Sequence, residues 1–170
     1  MTATVNQPLL PQAMSRSELQ DHVDHLAARP ELWQHLVTFD GSGQRHYVSL
    51  HRDDVVDVWL LCWNTVDDTG WHDHDISSGA VAVVQGAVRQ STLRLADGPV
   101  VEDFASGESF TFGPDHIHRM TGAVDGSVSI HAYSPPLTRM GQYSFDREGV
   151  LRRTSVGYEE ELRSPEGAVD

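Results

Sequence analysis

The sequence has little that would cross-link the chain, attract it to nucleic acid or hold it in a membrane. Its 170 residues include one cysteine, Cys62, so no intramolecular disulfide can form. Twelve basic residues stand against 25 acidic ones, and the net charge of −13 repels nucleic-acid phosphates and anionic membranes. No segment approaches the roughly 18 apolar residues of a spanning helix, and the N-terminus lacks the basic and apolar stretches of a leader. We therefore expect a cytoplasmic protein that binds neither nucleic acid nor membrane.

The length of the chain predicts one domain with two loose ends, because a chain of this size rarely needs a second core. We expect a flexible N-terminus over 1–14 and a single domain over 15–150. The acidic composition of 151–170 predicts a disordered tail. In solution we expect a monomer or a small homo-oligomer.

Helix signals occur only near the start of the domain. Ser15 and Glu18 have capping-box spacing, which predicts a helix that ends before Pro30, and a second short helix is expected over 31–39. From about Tyr47 onwards, short apolar or alternating runs are broken by turn residues, as in an antiparallel all-β domain. About eight strands without intervening helices favour a small sandwich or jelly-roll barrel. They are predicted near 55–63, 71–76, 80–85, 87–95, 99–104, 109–113, 116–122 and 127–133.

Histidine is abundant, with 10 residues, and its spacing suggests a metal site. His72 and His74 are two apart, so on a strand both point to one face, where they can converge on a metal ion or simply face solvent. A third ligand could be His116 or His118, and periodicity does not choose between them. Three histidines leave positions open for catalysis, but such a set holds zinc as well as iron.

A second polar row follows on a later strand. Ser129, His131 and Tyr133 share one face by alternation, and their side chains can hold or pass protons. The alternative is an outward polar stripe opposite Ile130 and Ala132.

Five segments between about residues 47 and 140 carry a family resemblance: Cys62-Trp63, His72-Asp73-His74-Asp75, Val84-Gln85-Gly86, His118-Arg119 and Ser129-Ile130-His131-Ala132-Tyr133-Ser134-Pro135-Pro136. In them the sequence resembles the cupins and, among these, the thiol dioxygenases of the cysteine dioxygenase type. The final segment is the most specific.

This resemblance implies a double-stranded β-barrel, preceded here by the short N-terminal helices, and a cis bond between Ser134 and Pro135. It implies an enzyme that uses Fe(II) and O2 to convert the sulfur of cysteine or a related small thiol into a sulfinate. The residues that it assigns are the metal ligands His72, His74 and His118 and the catalytic row Ser129, His131 and Tyr133.

Two positions depart from the family pattern. Gly79 stands where animal members have a cysteine crosslinked to the tyrosine matching Tyr133, so that thioether cannot form, as is common in bacterial members. Ser49 stands where the family has its carboxylate-binding arginine, two residues after Tyr47, and a serine cannot give the charged bidentate grip of a guanidinium. We therefore expect Tyr47 and Arg139 to contact the substrate, with Arg45 and Arg52 as further candidates for the cation.

Two other functions stay open. A cupin with the same metal site could oxidise a thiol to a different product, or could bind a small molecule without turnover. The proton-handling row favours catalysis over passive binding.

Overall fold

The computed structural model describes residues 12–39, 45–94 and 98–158. One α-helix, α1 (Arg16–Ala27), and two short 3-10 turns, at Pro30–Leu32 and Gln34–Leu36, precede eleven strands, which confirms the all-β prediction. No helix among these residues is long and apolar enough to cross a membrane. The strands are β1 (His46–Arg52), β2 (Asp57–Trp63), β3 (Trp71–Asp73), β4 (Ser78–Gln85), β5 (Ala87–Thr92), β6 (Val100–Ala105), β7 (Ser109–Phe112), β8 (His118–Gly122), β9 (Ser127–Ser134), β10 (Arg139–Phe145) and β11 (Leu151–Gly157).

The strands form two antiparallel sheets. The five-stranded sheet has the order β1-β2-β9-β4-β7, and the six-stranded sheet has the order β11-β10-β3-β8-β5-β6. Most neighbours within a sheet are far apart in the sequence, as where β9 lies between β2 and β4. This arrangement brings the segments around residues 60, 80 and 130 side by side.

The central strands of the five-stranded sheet are covered on both faces. All seven residues of β2 are buried, because alternate side chains serve two different cores. Leu60 and its alternate neighbours pack under α1, against Leu19 and Val23. Leu61 and its alternate neighbours pack against side chains of the other sheet, such as Met120. Burial on both faces explains the continuous apolar run of β2, including Cys62, which is buried and whose pKa is raised by burial.

Helix α1 begins as the capping-box spacing predicts. The Ser15 N–H donates to Glu18 Oε2 over 2.7 Å, and the Glu18 N–H donates to Ser15 Oγ over 3.3 Å. These two bonds satisfy N–H groups that have no partner inside the helix. The helix that begins at this cap packs on the outer face of the five-stranded sheet.

The structure differs from the sequence predictions in three respects. The helix expected over 31–39 is replaced by the two 3-10 turns, and β1, β10 and β11 were not predicted. Residues 151–157, placed by composition in a disordered tail, form β11, which pairs with β10 along seven residues. Edge strands with mostly polar side chains are stabilised by backbone pairing, which composition does not report. Residues 159–170 of the predicted tail and residues 1–11 of the N-terminus that was predicted to be flexible lie outside the described residues.

Candidate metal centre

Three histidines from two neighbouring strands meet between the sheets. His72 lies in β3, His74 directly follows that strand, and His118, the first residue of β8, lies opposite His72. Each offers one ligand atom, and these three atoms lie within 4.8 Å of one another. Metal–nitrogen bonds of about 2.0–2.1 Å place two ligand nitrogens up to about 4 Å apart, so small shifts close the site on an ion. All three side chains are buried.

Hydrogen bonds at Nδ1 orient two of these imidazoles. His72 Nδ1 lies 3.1 Å from the Gly70 carbonyl oxygen, and His118 Nδ1 lies 2.8 Å from Gln90 Oε1. Carbonyl oxygens only accept, so each Nδ1 is assigned the proton and each Nε2 keeps the lone pair that binds a metal. Among the described residues, the buried His118 Nε2 and His74 Nδ1 have no hydrogen-bond partner, which leaves both atoms available to a metal ion; His116 Nε2 also lacks one, so this feature alone does not identify a ligand. Gln90 lies on β5, and no sequence pattern pointed to it.

Burial lowers the pKa of all three histidines, because the space between the sheets solvates an imidazolium poorly. The pKa of His72 is lowered to about 4, chiefly by burial and also by the positive charge of Arg45. The pKa values of His74 and His118 lie well below 6.5, through burial and then through the charges of neighbouring histidines. The cluster is therefore neutral at neutral pH, which is the form that binds metal.

We expect the metal-free protein to lose stability as the pH falls below about 6.5. Histidines held neutral in the fold take up protons when the chain unfolds, so the unfolded state gains protons first. His72 and His131, with folded pKa values of about 4 and about 3, each contribute about 1 kcal/mol of lost stability between pH 7 and pH 5.5. Urea unfolding at the two pH values measures the change. Equal free energies of unfolding at both would contradict it.

The structure distinguishes His118 from its neighbour His116, which periodicity did not. His116 lies in the turn before β8 and stacks on Phe112, with ring centroids 5.4 Å apart. It is not a member of the group of three. The distinction arises because β8 begins at His118 and pairs that residue with His72.

The row on β9 points into the space between the sheets. Ser129 Oγ lies 2.7 Å from His131 Nε2, and His131 Nδ1 lies 3.1 Å from the Tyr133 hydroxyl oxygen. The alternate residues, Ile130 and Ala132, pack under α1. The row is therefore not an outward polar stripe.

Trp63 is hydrogen-bonded to this row. Its indole Nε1–H donates to Ser129 Oγ over 2.8 Å, and the serine hydroxyl can still donate its own hydrogen to His131 Nε2. We assign the His131 proton to Nδ1, from which it is donated to the Tyr133 oxygen. Burial and the positive charge of Arg45 lower the pKa of His131 to about 3, so the ring is neutral. In this arrangement the Tyr133 hydroxyl hydrogen is directed away from His131.

A cavity lies beside both groups. His72 and His118 of the cluster, His131 and Tyr133 of the row, and Arg45 all contribute to its wall. Arg45 is 4 % exposed and its guanidinium lies 4.7 Å from the ring centroid of Trp63. The cavity is therefore lined by two histidines of the three-histidine cluster, by the Tyr133 phenol and by a buried guanidinium. Most of the remaining wall is apolar, from Trp59, Leu61, Met120, Leu137 and Met140.

The two residues predicted to contact the substrate lie elsewhere. Arg139 is largely exposed, and its Nη2 lies 3.2 Å from Asp75 Oδ2. Tyr47 packs edge-on against Trp59, with ring centroids 5.8 Å apart. Neither belongs to the cavity wall as the described residues form it.

Arg52, the other candidate, forms an ion pair with buried Asp57 and donates to the Leu137 carbonyl oxygen over 2.8 Å. Of the arginines that the sequence nominated, only Arg45 is among the described residues that line the cavity. Arg45 directly precedes β1, a strand that was not predicted. The sequence therefore did not indicate which way the Arg45 side chain points.

Phe112 occupies the space that a side chain at position 79 would need. Gly79 pairs with Tyr133 on one side and with Phe112 on the other, and a Cβ at Gly79 would overlap the phenyl ring. That ring stacks on His74, with centroids 4.7 Å apart, and His74 stacks on Tyr133 at 4.9 Å. A cysteine at position 79 is excluded while Phe112 stays there. Tyr133 is held by stacking and by His131 instead of by a thioether.

The Ser134–Pro135 peptide bond is cis, as the resemblance implies.

Comparisons with known proteins agree with this architecture. A family model described as cysteine dioxygenase type I matches residues 5–147. An RmlC-like cupin protein from Desulfovibrio desulfuricans is similar in structure, with a TM-score of 0.51 and 17% identity over 59% of this chain and 91% of that one. A conserved protein from Klebsiella pneumoniae with a double-stranded β-helix domain has a TM-score of 0.50 and 10% identity, over 71% and 92%. At such identities the likeness concerns the fold alone, and it confirms the predicted cupin fold. No curated protein matches the sequence.

Proposed function

Because the chain belongs to the cysteine dioxygenase type I family, we propose that it is an Fe(II)-dependent dioxygenase of cysteine or a related small thiol. The reaction adds both atoms of O2 to the thiol sulfur and gives a sulfinate, so it needs no external reductant. The observation that carries the proposal is the three-histidine cluster, which adjoins the same cavity as Tyr133 and Arg45.

The donor set of the cluster fits a first-row metal. Three neutral imidazoles converge, and they leave other positions of an ion open to small molecules. Bound Fe(II) would supply the redox chemistry and would stabilise the thiolate form of the substrate sulfur. His72, His74 and His118 are the residues proposed to hold it.

Tyr133 is proposed as the hydrogen-bond donor to the reacting substrate. With the His131 proton assigned to Nδ1, His131 donates to the Tyr133 oxygen, and the Tyr133 hydroxyl is proposed to donate its own hydrogen to substrate bound in the cavity that it lines. Ser129 and Trp63 hold the His131 ring in the orientation that this requires. The buried row can therefore position one hydroxyl without a thioether crosslink.

Arg45 is proposed to bind the far end of the substrate. Arg45 lies in the cavity wall with His72 and His118, and its side chain is buried. A buried guanidinium suits a carboxylate group, because it can donate two parallel hydrogen bonds to the two carboxylate oxygens. This assigns to Arg45 the role that Ser49 cannot fill. The substrate class is then a small thiol that carries a carboxylate, such as cysteine or 3-mercaptopropionate.

Oxygen uptake by the iron-loaded protein tests the proposed function. With L-cysteine and 3-mercaptopropionate we expect uptake that depends on thiol, and mass spectrometry should identify a product with two added oxygen atoms. Thiol binding without uptake would indicate a binding protein, and a different product would indicate another oxidation. Either result would contradict the proposal.

We expect Tyr133→Phe to lower kcat about 100-fold, because positioned proton donors contribute about 10²–10⁴-fold to a rate. Iron content should stay equal to that of the unchanged protein, since Tyr133 is not in the group of three. Steady-state oxygen uptake and metal analysis of the same samples measure both. A variant with unchanged kcat and full iron would remove Tyr133 from the mechanism.

A further inference from the structure

The short strand β3, which contains His72 and directly precedes His74, is held from its other face by a buried carboxylate. β3 has three residues, and the side chain of Asp73 points opposite to those of His72 and His74. Asp73 is 6 % exposed, and its two oxygens accept four hydrogen bonds. The donors are the Tyr143 hydroxyl (2.6 Å to Oδ2), Arg153 Nε (2.7 Å to Oδ2), Arg153 Nη2 (2.8 Å to Oδ1) and the Asp75 N–H (2.8 Å to Oδ1).

Arg153 reaches Asp73 by crossing an intervening strand. Arg153 lies on β11 and Asp73 on β3, and β10 runs between them. Gly141 of β10 lies directly opposite Asp73, and a Cβ at this position would overlap the guanidinium of Arg153 and the carboxylate of Asp73. The missing side chain therefore creates the passage through which the two charged groups meet.

The same carboxylate also fixes the turn that presents His74. Its Oδ1 accepts from the N–H of Asp75, a residue with φ of 55°, and the Ser77 N–H donates to the His74 carbonyl oxygen over 3.0 Å. His74 therefore stands between two residues, Asp73 and Asp75, that belong to one hydrogen-bonded unit. A movement of Asp73 would displace His74 directly.

The charges around this unit balance. Asp73 and Asp75 face Arg153, and Arg139 pairs with Asp75. The Asp73 side chain is 8 % exposed and grips Arg153 through two parallel bonds, so the pair differs from a solvent-screened surface pair. Removal of the guanidinium would leave a buried carboxylate short of donors.

We propose that Arg153, acting through Asp73, is a positioning residue for His72 and His74, and that the β10–β11 hairpin thereby controls how tightly the three-histidine site binds metal. The inference rests on the metal site alone and not on the thiol reaction. Arg153 touches neither the proposed metal nor the substrate. Its role is to keep the ligand segment in the geometry that suits an ion.

Two variants distinguish a residue that positions the metal ligands from one that only stabilises the fold. Arg153→Met removes the guanidinium, and Gly141→Ala keeps every member of the unit but inserts a methyl group into the passage. Arg152→Met is the matched control, because Arg152 is adjacent on β11, exposed, and pairs with Asp146. Co(II) titration of the full-length, metal-free proteins, with a competing chelator, gives the affinity, and the visible spectrum of bound Co(II) reports the ligand geometry.

We expect Arg153→Met and Gly141→Ala each to weaken Co(II) binding about 10-fold and to change the Co(II) spectrum, the scale on which groups that orient metal ligands usually act. Arg153→Lys, which restores the charge without the fork, should recover part of the affinity. Arg152→Met should match the unchanged protein. Thermal melting of the same metal-free samples shows how much of each effect is lost stability.

The proposal would be overturned if Arg153→Met and Gly141→Ala both bound Co(II) with the affinity of the unchanged protein and differed from it only in a lower melting temperature. If Arg153→Met does not fold, Gly141→Ala and Tyr143→Phe decide, and wild-type affinity in both would overturn it as well. Because Co(II) binding requires neither thiol nor oxygen, these results are read independently of whether the protein proves to be a dioxygenase.

Discussion

His118→Ala is expected to abolish stoichiometric iron binding and thiol-dependent oxygen uptake, whereas His116→Ala keeps both. The two histidines are two residues apart in one segment, but only His118 lies with His72 and His74 in the buried group of three. Groups that merely orient a ligand are worth about 10–100-fold in metal affinity, so the loss of a ligand should cost more than about 100-fold. His116 stacks on Phe112, and its replacement should cost a modest part of the folding stability.

Metal analysis after loading with Fe(II) and removal of excess metal gives the first result, and an oxygen electrode gives the second. Circular dichroism of both variants checks that the fold survives. Full iron in His118→Ala, or equal iron loss in the two variants, would mean that the group of three does not form the metal site.

Arg45→Met is expected to lower kcat/KM about 100-fold for thiols that carry a carboxylate, because a desolvated, charge-assisted pair is lost. For cysteamine, which has a thiol but no carboxylate, the change should stay within about threefold, since no such pair exists to lose. Arg89→Met is the matched control, because Arg89 is exposed, lies on β5 and pairs with Asp103. Arg45→Lys, which keeps a charge but not the fork, should be intermediate.

The comparison between substrates is what makes this prediction specific. Arg45 also lies over Trp63 and lowers the pKa of His131, so its removal could reduce turnover of every thiol by disturbing the row on β9. An equal loss for cysteine, 3-mercaptopropionate and cysteamine would assign it that general role instead. A larger effect from Arg139→Met than from Arg45→Met would return the carboxylate role to Arg139.

Patterns along single strands were sufficient to predict much of the fold and the candidate residues. The continuous apolar run of β2 indicates a strand buried on both faces, the alternation in β9 follows the two-residue period of a strand, and both strands lie where they were predicted. The same two-residue period predicted that His72 and His74 point to one face. These features depend on residues close together in sequence, and local sequence reports such features directly.

Features that depend on pairing between distant strands could not be read in this way. The polar edge strand β11 has little apolar signal, although its pairing with β10 supports the contact between Arg153 and Asp73. Gln90 and Phe112 contact the candidate ligands from β5 and β7, and neither belongs to a recognisable motif. Their roles arise from the order of the strands in the two sheets.

Alternation, capping and motif spacing are properties of neighbouring residues, and they were enough to predict a β-domain under a capped helix, a histidine-rich candidate metal site and a resemblance to thiol dioxygenases. Periodicity left His116 and His118, and the inward or outward direction of the Ser129, His131 and Tyr133 row, undecided; the resemblance favoured His118 and an inward row, and the structure agrees with both. The presence of Arg45 rather than Arg139 in the cavity wall came from the tertiary structure alone. Each of these choices depends on strand register and on which face a second sheet covers. Both are decided by contacts between residues that are far apart in the chain.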